Sequence, residues 1–218
     1  MMPHLQRSEA KLMHDATQIL RQEHEVILGV LDATEKTAAL LEAGNDVPAH
    51  VLNETVEFLR RFADAQHHGK EEDLLFPKMR QCMPGAAGPV SMMLMEHQFG
   101  RSHSARMAEA GKSYADGDRS AGAEWADAAL DYVALLREHI AKENHVLFVM
   151  AERVLTQEEQ KQLASAFAGV DTQKIGEAEG KKLLQMPKAC AHRRRVLSRV
   201  SIRIAGAVCE HFDSVQCA

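Results

Sequence analysis

Residues 67–76 read His-His-Gly-Lys-Glu-Glu-Asp-Leu-Leu-Phe, and residues 139–148 read His-Ile-Ala-Lys-Glu-Asn-His-Val-Leu-Phe. Both stretches follow the pattern His-x-x-Lys-Glu-x-x-x-Leu-Phe. A Glu-His pair precedes each stretch, at residues 23–24 and at residues 96–97, and the two pairs are almost as far apart in the chain as the two stretches are. The second half of the chain therefore resembles the first.

Each stretch places a histidine and a glutamate four residues apart, His67 with Glu71 and His139 with Glu143. Residues at this spacing lie on the same face of a helix. Two such faces brought together would present imidazole and carboxylate groups to each other. That mixed nitrogen and oxygen donor set suits a transition metal.

A second pair with the same spacing, His68 and Glu72, lies one residue out of phase. The repeat favours the first pair, because His67 aligns with His139 whereas His68 aligns with Ile140. We therefore predict that the His67 pair faces the site, and that His68 lies behind the ligands or at the rim of the pocket.

Composition indicates a helical protein. Of the 218 residues, 45% are apolar and 26% charged, which is ordinary for a globular chain. Aromatic residues are scarce at 5%, while residues that favour helix over strand are abundant. The net charge of −5 gives no reason to expect nucleic acid as a partner.

The sequence also bears on location. Its four cysteines form no Cys-x-x-Cys motif, which fits a reducing compartment. The N-terminal residues lack the apolar segment of a signal peptide, and no apolar stretch is long enough to span a membrane. We expect a cytoplasmic protein without a membrane partner.

Apolar periodicity predicts four long helices, over residues 15–41, 48–81, 90–114 and 121–154. Turn residues separate them at 43–46, 82–89 and 116–118. Thr156-Gln-Glu-Glu159 reads as a capping box that opens a short fifth helix. The predicted fold is all-α: an up-down-up-down four-helix bundle over residues 14–170, with a metal site in its core.

The character of the chain changes after residue 170. Residues 188–203 carry six Lys or Arg and no acidic residue, and residues 189–218 hold three of the four cysteines. We expect residues 171–218 to form a basic, cysteine-containing appendage. The basic run is a solvated face by default; an anionic partner, or a protein partner that reads the state of the bundle, is the sharper alternative.

Six polar residues fall on, or one step from, the apolar stripes of the four helices. They are His24, His67, Glu71, His97, His139 and Glu143. Burying so many polar groups without partners would be prohibitive, and a cation removes the problem. Four imidazoles and two carboxylates match a dinuclear site in which each metal takes two histidines and both share the glutamates.

These motifs together resemble the hemerythrin-like (HHE cation-binding) family. The resemblance rests on His-x-x-x-Glu-Glu-x-x-Leu-Phe-Pro in the second helix, the two Glu-His pairs, and His-x-x-x-Glu in the fourth, and it covers about residues 14–170. It implies a four-helix bundle around a non-haem di-iron centre, with zinc or manganese as other candidates. On that pattern the metal ligands are His24, His67, Glu71, His97, His139 and Glu143.

One departure from the family pattern is important. Oxygen-carrying hemerythrins place two histidines one turn apart on the third helix, whereas the residues one turn from His97 are Met93 and Arg101. The resemblance therefore implies one nitrogen ligand fewer. This argues against reversible O2 carriage and for a more open, more oxidisable centre.

Neighbouring side chains receive simpler roles. We expect Lys70 and Lys142 to be solvated or at the rim, and Glu23, Glu25 and Glu96 to hold imidazole N–H groups. Methionines 92, 93 and 95 and Tyr132 are expected in the core. Histidines outside the pattern are predicted on the surface or in segments without a site: His14, His50, His103 and His145, and His4, His192 and His211.

Three functions follow as hypotheses. The first is a di-iron protein that binds or senses O2, NO or redox state, or handles iron, with no catalytic residue assigned. The second is a di-metal enzyme that consumes peroxide or O2, with Arg101 or a nearby tyrosine assisting. The third is a metal-responsive interaction module that signals through its tail. No motif for nucleotide binding or nucleophilic hydrolysis occurs.

Overall fold

The computed structural model describes residues 15–175, with side chains as far as Asp171. Over that range the chain is helical and contains no strand, which confirms the all-α prediction. Its α-helices are α1 (Ala16–Glu42), α2 (Ala49–Phe58), α3 (Phe76–Cys82), α4 (Ala87–Ala115), α5 (Ala121–Lys142), α6 (Phe148–Val154) and α7 (Gln157–Ile175).

Wider π-helical turns join some of these helices. Segments π1 (Leu59–His68) and π2 (Glu71–Leu75) connect α2 to α3, and π3 (Glu143–Leu147) connects α5 to α6. The predicted second helix is therefore a continuous rod over residues 49–82, and the predicted fourth is a continuous rod over residues 121–154. We call these the second and fourth rods; α1 is the first rod and α4 the third.

Glycines end two of the rods where the sequence predicted turns. Gly44 follows α1 with φ of 77°, and Gly117 follows α4 with φ of 108°. Positive φ is accessible to glycine at little cost, so both positions stop a helix. The third rod begins at Ala87 rather than at the predicted Val90, because Pro89 is tolerated in the first helical turn.

Two apolar clusters fill the interior. One contains Ile27, Ala63, Met107 and Leu136, and the other contains Leu20, Leu75, Met93 and Leu147. Along every rod a polar segment separates the residues of one cluster from those of the other. The buried histidines and glutamates are thus held at one level between two apolar layers.

Ion pairs show that the fourth rod runs opposite to both the first and the third. In the third and fourth rods, Glu96 contacts Lys142 while Arg106 contacts Asp131. In the first and fourth, Arg21 contacts Glu152 while Asp32 contacts Arg137. The second and third rods meet where Asp64 and Glu72 both contact Arg101.

The fifth helix is longer than predicted. Its capping box is confirmed, since the Thr156 backbone N–H donates to Glu159 Oε2 (2.9 Å) and the Glu159 N–H donates to Thr156 Oγ1 (3.3 Å). The helix then continues to Ile175 instead of ending early. Leu163, Phe167 and Asp171 lie one turn apart and are buried against the bundle, which stabilises the extra turns.

Some core predictions hold and some do not. Met93 and Tyr132 are buried as expected, but Met92 and Met95 are 47% and 46% exposed, so their core assignment is wrong. Only the helical phase of Met93 matches the stripe that carries His97. Of the histidines predicted on the surface, His50 and His145 are exposed and His103 is half-buried.

Two further expectations concern residues at the ends of the chain. The tail beyond Ile175, and His4, His14, His192 and His211, lie outside the described residues. In the part of the chain that is described, no helix combines the length and apolar character that a membrane span requires.

Candidate metal centre

Five imidazoles and two carboxylates converge between the two apolar layers. Each is exposed by 2% or less, and together they are His24, His67, His68, Glu71, His97, His139 and Glu143. They fall into two overlapping groups whose potential ligand atoms lie within 4.8 Å of one another. Group 1 is His24, His67, Glu71 and Glu143; group 2 is His68, Glu71, His97 and His139.

In each group two imidazoles from different rods face each other through Nε2. The Nε2 atoms of His24 and His67 are 2.9 Å apart in group 1. Those of His97 and His139 are 3.1 Å apart in group 2. The first pair joins the first and second rods, and the second pair joins the third and fourth. This is the pairing that the sequence repeat implies.

Both carboxylates lie between the groups. Glu71 Oε1 is 3.6 Å from His67 Nε2, and its Oε2 is 3.6 Å from His97 Nε2. Glu143 Oε2 is 3.2 Å from His24 Nε2 and 3.3 Å from His139 Nε2. Each glutamate therefore reaches an imidazole of both groups, as two ions sharing their carboxylates would require.

His68 does not lie at the rim, which was one of the two positions predicted for it. It is buried, and its ring stacks on that of His97 with centroids 3.8 Å apart. Within the described part of the chain, neither ring nitrogen has a hydrogen-bond partner. Asp64 Oδ1 is 3.5 Å from Nδ1, too far for a good hydrogen bond. An imidazole buried without partners is costly unless it binds something else.

Local helix geometry explains why both His67 and His68 face inward. They are the last residues of π1, and Glu71 and Glu143 are the first residues of π2 and π3. A π-helix has more residues per turn than an α-helix, so successive side chains are separated by a smaller angle. Reasoning from α-helical phase therefore left open a position at the rim that the structure excludes, although the His-His dipeptide was visible in the sequence.

An outer layer of oxygen atoms orients four of the imidazoles. The Nδ1 atoms of His67 and His139 contact carboxylate oxygens of Glu23 and Glu96, both at 2.9 Å. His97 Nδ1 contacts Glu72 Oε1 at 2.7 Å. The predictions for Glu23 and Glu96 are thus confirmed, whereas Glu25 is exposed.

The fourth imidazole, that of His24, contacts Asn144 Oδ1 at 2.9 Å through Nδ1. Since these oxygens can only accept, all four Nδ1 atoms carry a proton in the neutral rings. The Nε2 atoms that face each other therefore hold lone pairs. Two lone pairs at about 3 Å repel unless a cation lies between or beside them.

The two repeated lysines differ in burial. Lys142 donates to Glu96 with its side chain 41% exposed, as expected of a rim residue. Lys70 donates to Glu23 and, at 2.6 Å, to Asp171 of α7, and it is fully buried. The prediction that Lys70 is solvated is wrong, because α7 covers it.

Charges around the cluster shift its pKa values. Burial, reinforced by the nearby Glu143, raises the pKa of Glu71 well above its ordinary value. Burial also raises the pKa of Glu143, but His139, His24 and His97 outweigh it and bring the pKa to about 2. Burial lowers the pKa of His67 and His68 well below the ordinary histidine value. At neutral pH these two imidazole rings are neutral, which is the form that binds a metal.

The donor set fits a bound cation. Among the described residues, no hydrogen-bond donor reaches any of the four buried oxygens of Glu71 and Glu143. Ionised carboxylates in that state cost several kcal/mol or more. A metal would satisfy the four inward lone pairs, the His68 ring and the two carboxylates together. Imidazole and carboxylate in combination suit iron, zinc and manganese.

The fold and the cluster define a helical protein with a buried His/Glu site able to hold metal. Residues 15–151 match the hemerythrin HHE cation binding domain, and the chain belongs to that family. Relatives include uncharacterized proteins of Mycobacterium tuberculosis (Rv1995) and Mycobacterium bovis (Mb2018), each 29% identical over 164 residues. The aligned region is 75% of this chain and 64% of each relative's length. No solved structure matches the chain significantly.

Proposed function

We propose that this protein holds a dinuclear non-haem iron centre in an up-down-up-down bundle, and that it binds or senses a small oxidant or handles iron. The observation that carries the proposal is the pair of buried carboxylates, Glu71 and Glu143. Their four oxygens have no hydrogen-bond donor in the part of the chain that the structure describes, and they lie between facing imidazoles. A cation satisfies these groups together.

The ligands would divide between two ions. His24 and His67 would bind the first, and His97 and His139 the second, with Glu71 and Glu143 shared. To this predicted set of six we add His68, which belongs to group 2. It would supply a fifth imidazole, in place of the second histidine that α4 lacks at Met93 and Arg101. The expected shortfall of one nitrogen ligand then disappears.

The division is unequal, and this bears on what the site would bind. Two imidazoles would serve the first ion and three the second. Iron bound here would supply two adjacent redox-active ions, able to exchange electrons with O2, NO or peroxide. The first ion has fewer protein ligands, so we expect an exogenous small ligand to bind on the group 1 side.

Residues behind the imidazoles would keep them oriented for metal binding. Glu23, Glu72, Glu96 and Asn144 keep the proton of each imidazole on Nδ1, which leaves Nε2 free to coordinate. The apolar layers on both sides exclude water from the level of the cluster. Both features favour tight metal retention.

Arg101 bears on the alternative that the protein is a di-metal enzyme. Its guanidinium donates to Asp64 (2.8 Å) and Glu72 (2.7 Å), so it is engaged behind His97 instead of pointing at the ions. Tyr132 packs in the apolar cluster with Leu136. Neither side chain is placed to assist a substrate, which favours ligand binding over turnover.

Metal analysis of the purified full chain tests the proposal. We expect about two irons per chain after anaerobic loading with Fe²⁺, by analogy with di-iron bundles. Glu143→Ala should lose iron, while Glu138→Ala, which changes an exposed neighbour of His139, should retain it. A wild-type chain that takes up no iron would overturn the proposal.

The same sample separates binding from turnover. If the loaded chain binds O2, NO or H2O2, its visible spectrum should change until one molecule has been added per metal centre, and then stay constant. Sustained loss of H2O2 that depends on Glu71 and Glu143 would instead establish the peroxide-consuming enzyme.

A further inference from the structure

A buried polar network joins α7 to the metal centre. Asp171 of α7 accepts hydrogen bonds from Lys70 Nζ (2.6 Å) and from Gln66 Nε2 (2.7 Å). Lys70 also donates to Glu23, whose other oxygen accepts from His67 Nδ1 at 2.9 Å. A continuous path of charged hydrogen bonds therefore runs from α7 to a histidine of group 1.

Every member of the path is removed from solvent. Lys70 is 0% exposed, Gln66 is buried, and Glu23 and Asp171 are each 7% exposed. The Phe167 ring of α7 lies 5.9 Å from Lys70 Nζ and closes the network from the same side. A buried ammonium held between two carboxylates has few other arrangements available, so the network is stiff.

The other half of the molecule lacks this connection. Lys142 and Glu96 repeat the contact with His139, but Lys142 is half-exposed and, among residues 15–171, makes no ion pair with a further carboxylate. The family match ends at residue 151, and α7 begins at Gln157. The link from α7 to His67 is thus an addition to the repeated bundle and not part of the repeat.

We propose that Asp171 is a positioning residue for the metal centre: through Lys70 and Glu23 it holds His67, so that docking of α7 and binding of metal at group 1 strengthen each other. The inference rests on the proposed function, since it needs the cluster to bind metal. Reciprocity follows from linkage: if docked α7 raises metal affinity by some factor, metal raises the docking equilibrium by the same factor.

The coupling supports the metal-responsive alternative, because it links the metal centre to the helix that precedes residues 188–203 in the sequence. Those residues carry six Lys or Arg and no acidic residue.

Cobalt binding by the full-length chain provides the test, because the visible d–d bands of Co²⁺ report the geometry of its ligands. The variant is Asp171→Asn, which removes the charge and keeps the shape. Its matched control is Glu158→Gln, an exposed residue of the same helix. We expect Asp171→Asn to weaken Co²⁺ binding about 10-fold, as for other residues behind metal ligands, and to shift the d–d bands. Glu158→Gln should do neither.

Hydrogen exchange supplies a second readout. In the wild-type chain, Co²⁺ should slow amide exchange in α7 as well as in α1. In Asp171→Asn the slowing in α7 should be lost while that in α1 remains. Because the wild-type comparison needs no variant, it decides the question even if Asp171→Asn fails to fold.

The outcomes distinguish the two proposals. If the wild-type chain binds metal but exchange in α7 is the same with and without it, or if Asp171→Asn binds Co²⁺ with wild-type affinity and spectrum, this inference is overturned and the proposed function stands. If the wild-type chain binds neither iron nor cobalt, both are overturned together.

Discussion

The two halves of the molecule share an inner arrangement and differ in what surrounds it. In each half a lysine donates to a glutamate that accepts from a histidine: Lys70, Glu23 and His67 in one, Lys142, Glu96 and His139 in the other. Yet α7 buries the first lysine and leaves the second half-exposed. Repetition in sequence therefore reproduces the contacts within the bundle but not the burial of their outer members.

Two other positions break the symmetry. His68 adds an imidazole where the second half has Ile140, which belongs to an apolar cluster. Behind the ligands, His97 is oriented by Glu72 and Arg101, whereas His24 is oriented by the neutral Asn144. Two groups built on one sequence pattern can therefore hold unequal sets of potential ligand atoms.

The largest expected effect concerns what the halves share. Because both carboxylates lie between the two groups, Glu71→Ala and Glu143→Ala should lose metal equally. Removing metal from the wild-type chain should cost about 4 kcal/mol at a free metal concentration near 1,000 times Kd. For a chain of this size that corresponds to about 10 °C in Tm, measurable by calorimetry. Loss of metal from only one variant would contradict the shared arrangement.

The next effect separates the halves. Lys70→Met leaves Glu23 and Asp171 buried without their cation, so we expect a loss of about 3–5 kcal/mol in the free energy of unfolding. Lys142→Met is the matched control at the repeated position, and its half-exposed ion pair should contribute below about 1 kcal/mol. Denaturant unfolding of the two variants measures the difference. Equal losses would show that α7 does not distinguish the halves.

His68→Ile gives the first half the residue that the second half has at the equivalent position, Ile140. Group 2 then keeps two imidazoles in place of three. We expect one ion per chain to bind about 100-fold more weakly while the other is retained. Metal titration with a competing chelator resolves the two steps. His145→Ile, at an exposed histidine, should leave both steps unchanged.

The smallest effect appears in the metal-free chain, at one of the two buried carboxylates. Burial and the nearby Glu143 raise the pKa of Glu71, so Glu71 contributes its full stability at low pH and costs stability as pH rises through the raised pKa. Glu71→Gln should therefore stabilise the metal-free chain at pH 8, with no gain below the ordinary glutamate pKa.

Unfolding of the variant and of the wild-type chain across this pH range, after exhaustive chelation, is the measurement. Equal stability of the two at pH 8 would contradict the raised pKa of Glu71.

Much of this site could be predicted from residue order. His67, Glu71, His139 and Glu143 follow from their spacing, because a four-residue interval places two side chains on one helix face. His24 and His97 follow from the matching Glu-His pairs. What spacing could not reveal is the π-helical geometry at the ligands, which turns His68 inward, since the same residues would be out of phase in an α-helix.

Lys70 shows the other limit of the sequence. Nothing in its neighbourhood distinguishes it from Lys142, and both follow the repeated motif. Its burial depends on Asp171, more than 100 residues away in the chain. Asp171 lies in α7, which is not part of the sequence repeat. Short-range patterns carry no information on such a contact.

Residue order alone is enough to predict the helical class, the positions of the turns and six of the residues that the bundle brings together. These properties depend on periodicity and on residue type, which are local. Packing between distant segments accounts for three further features: His68 joins the cluster, the two carboxylates lie between both groups, and α7 closes over Lys70. Each of these depends on which faces meet in space, and burial is a property of the packed molecule rather than of any segment of it.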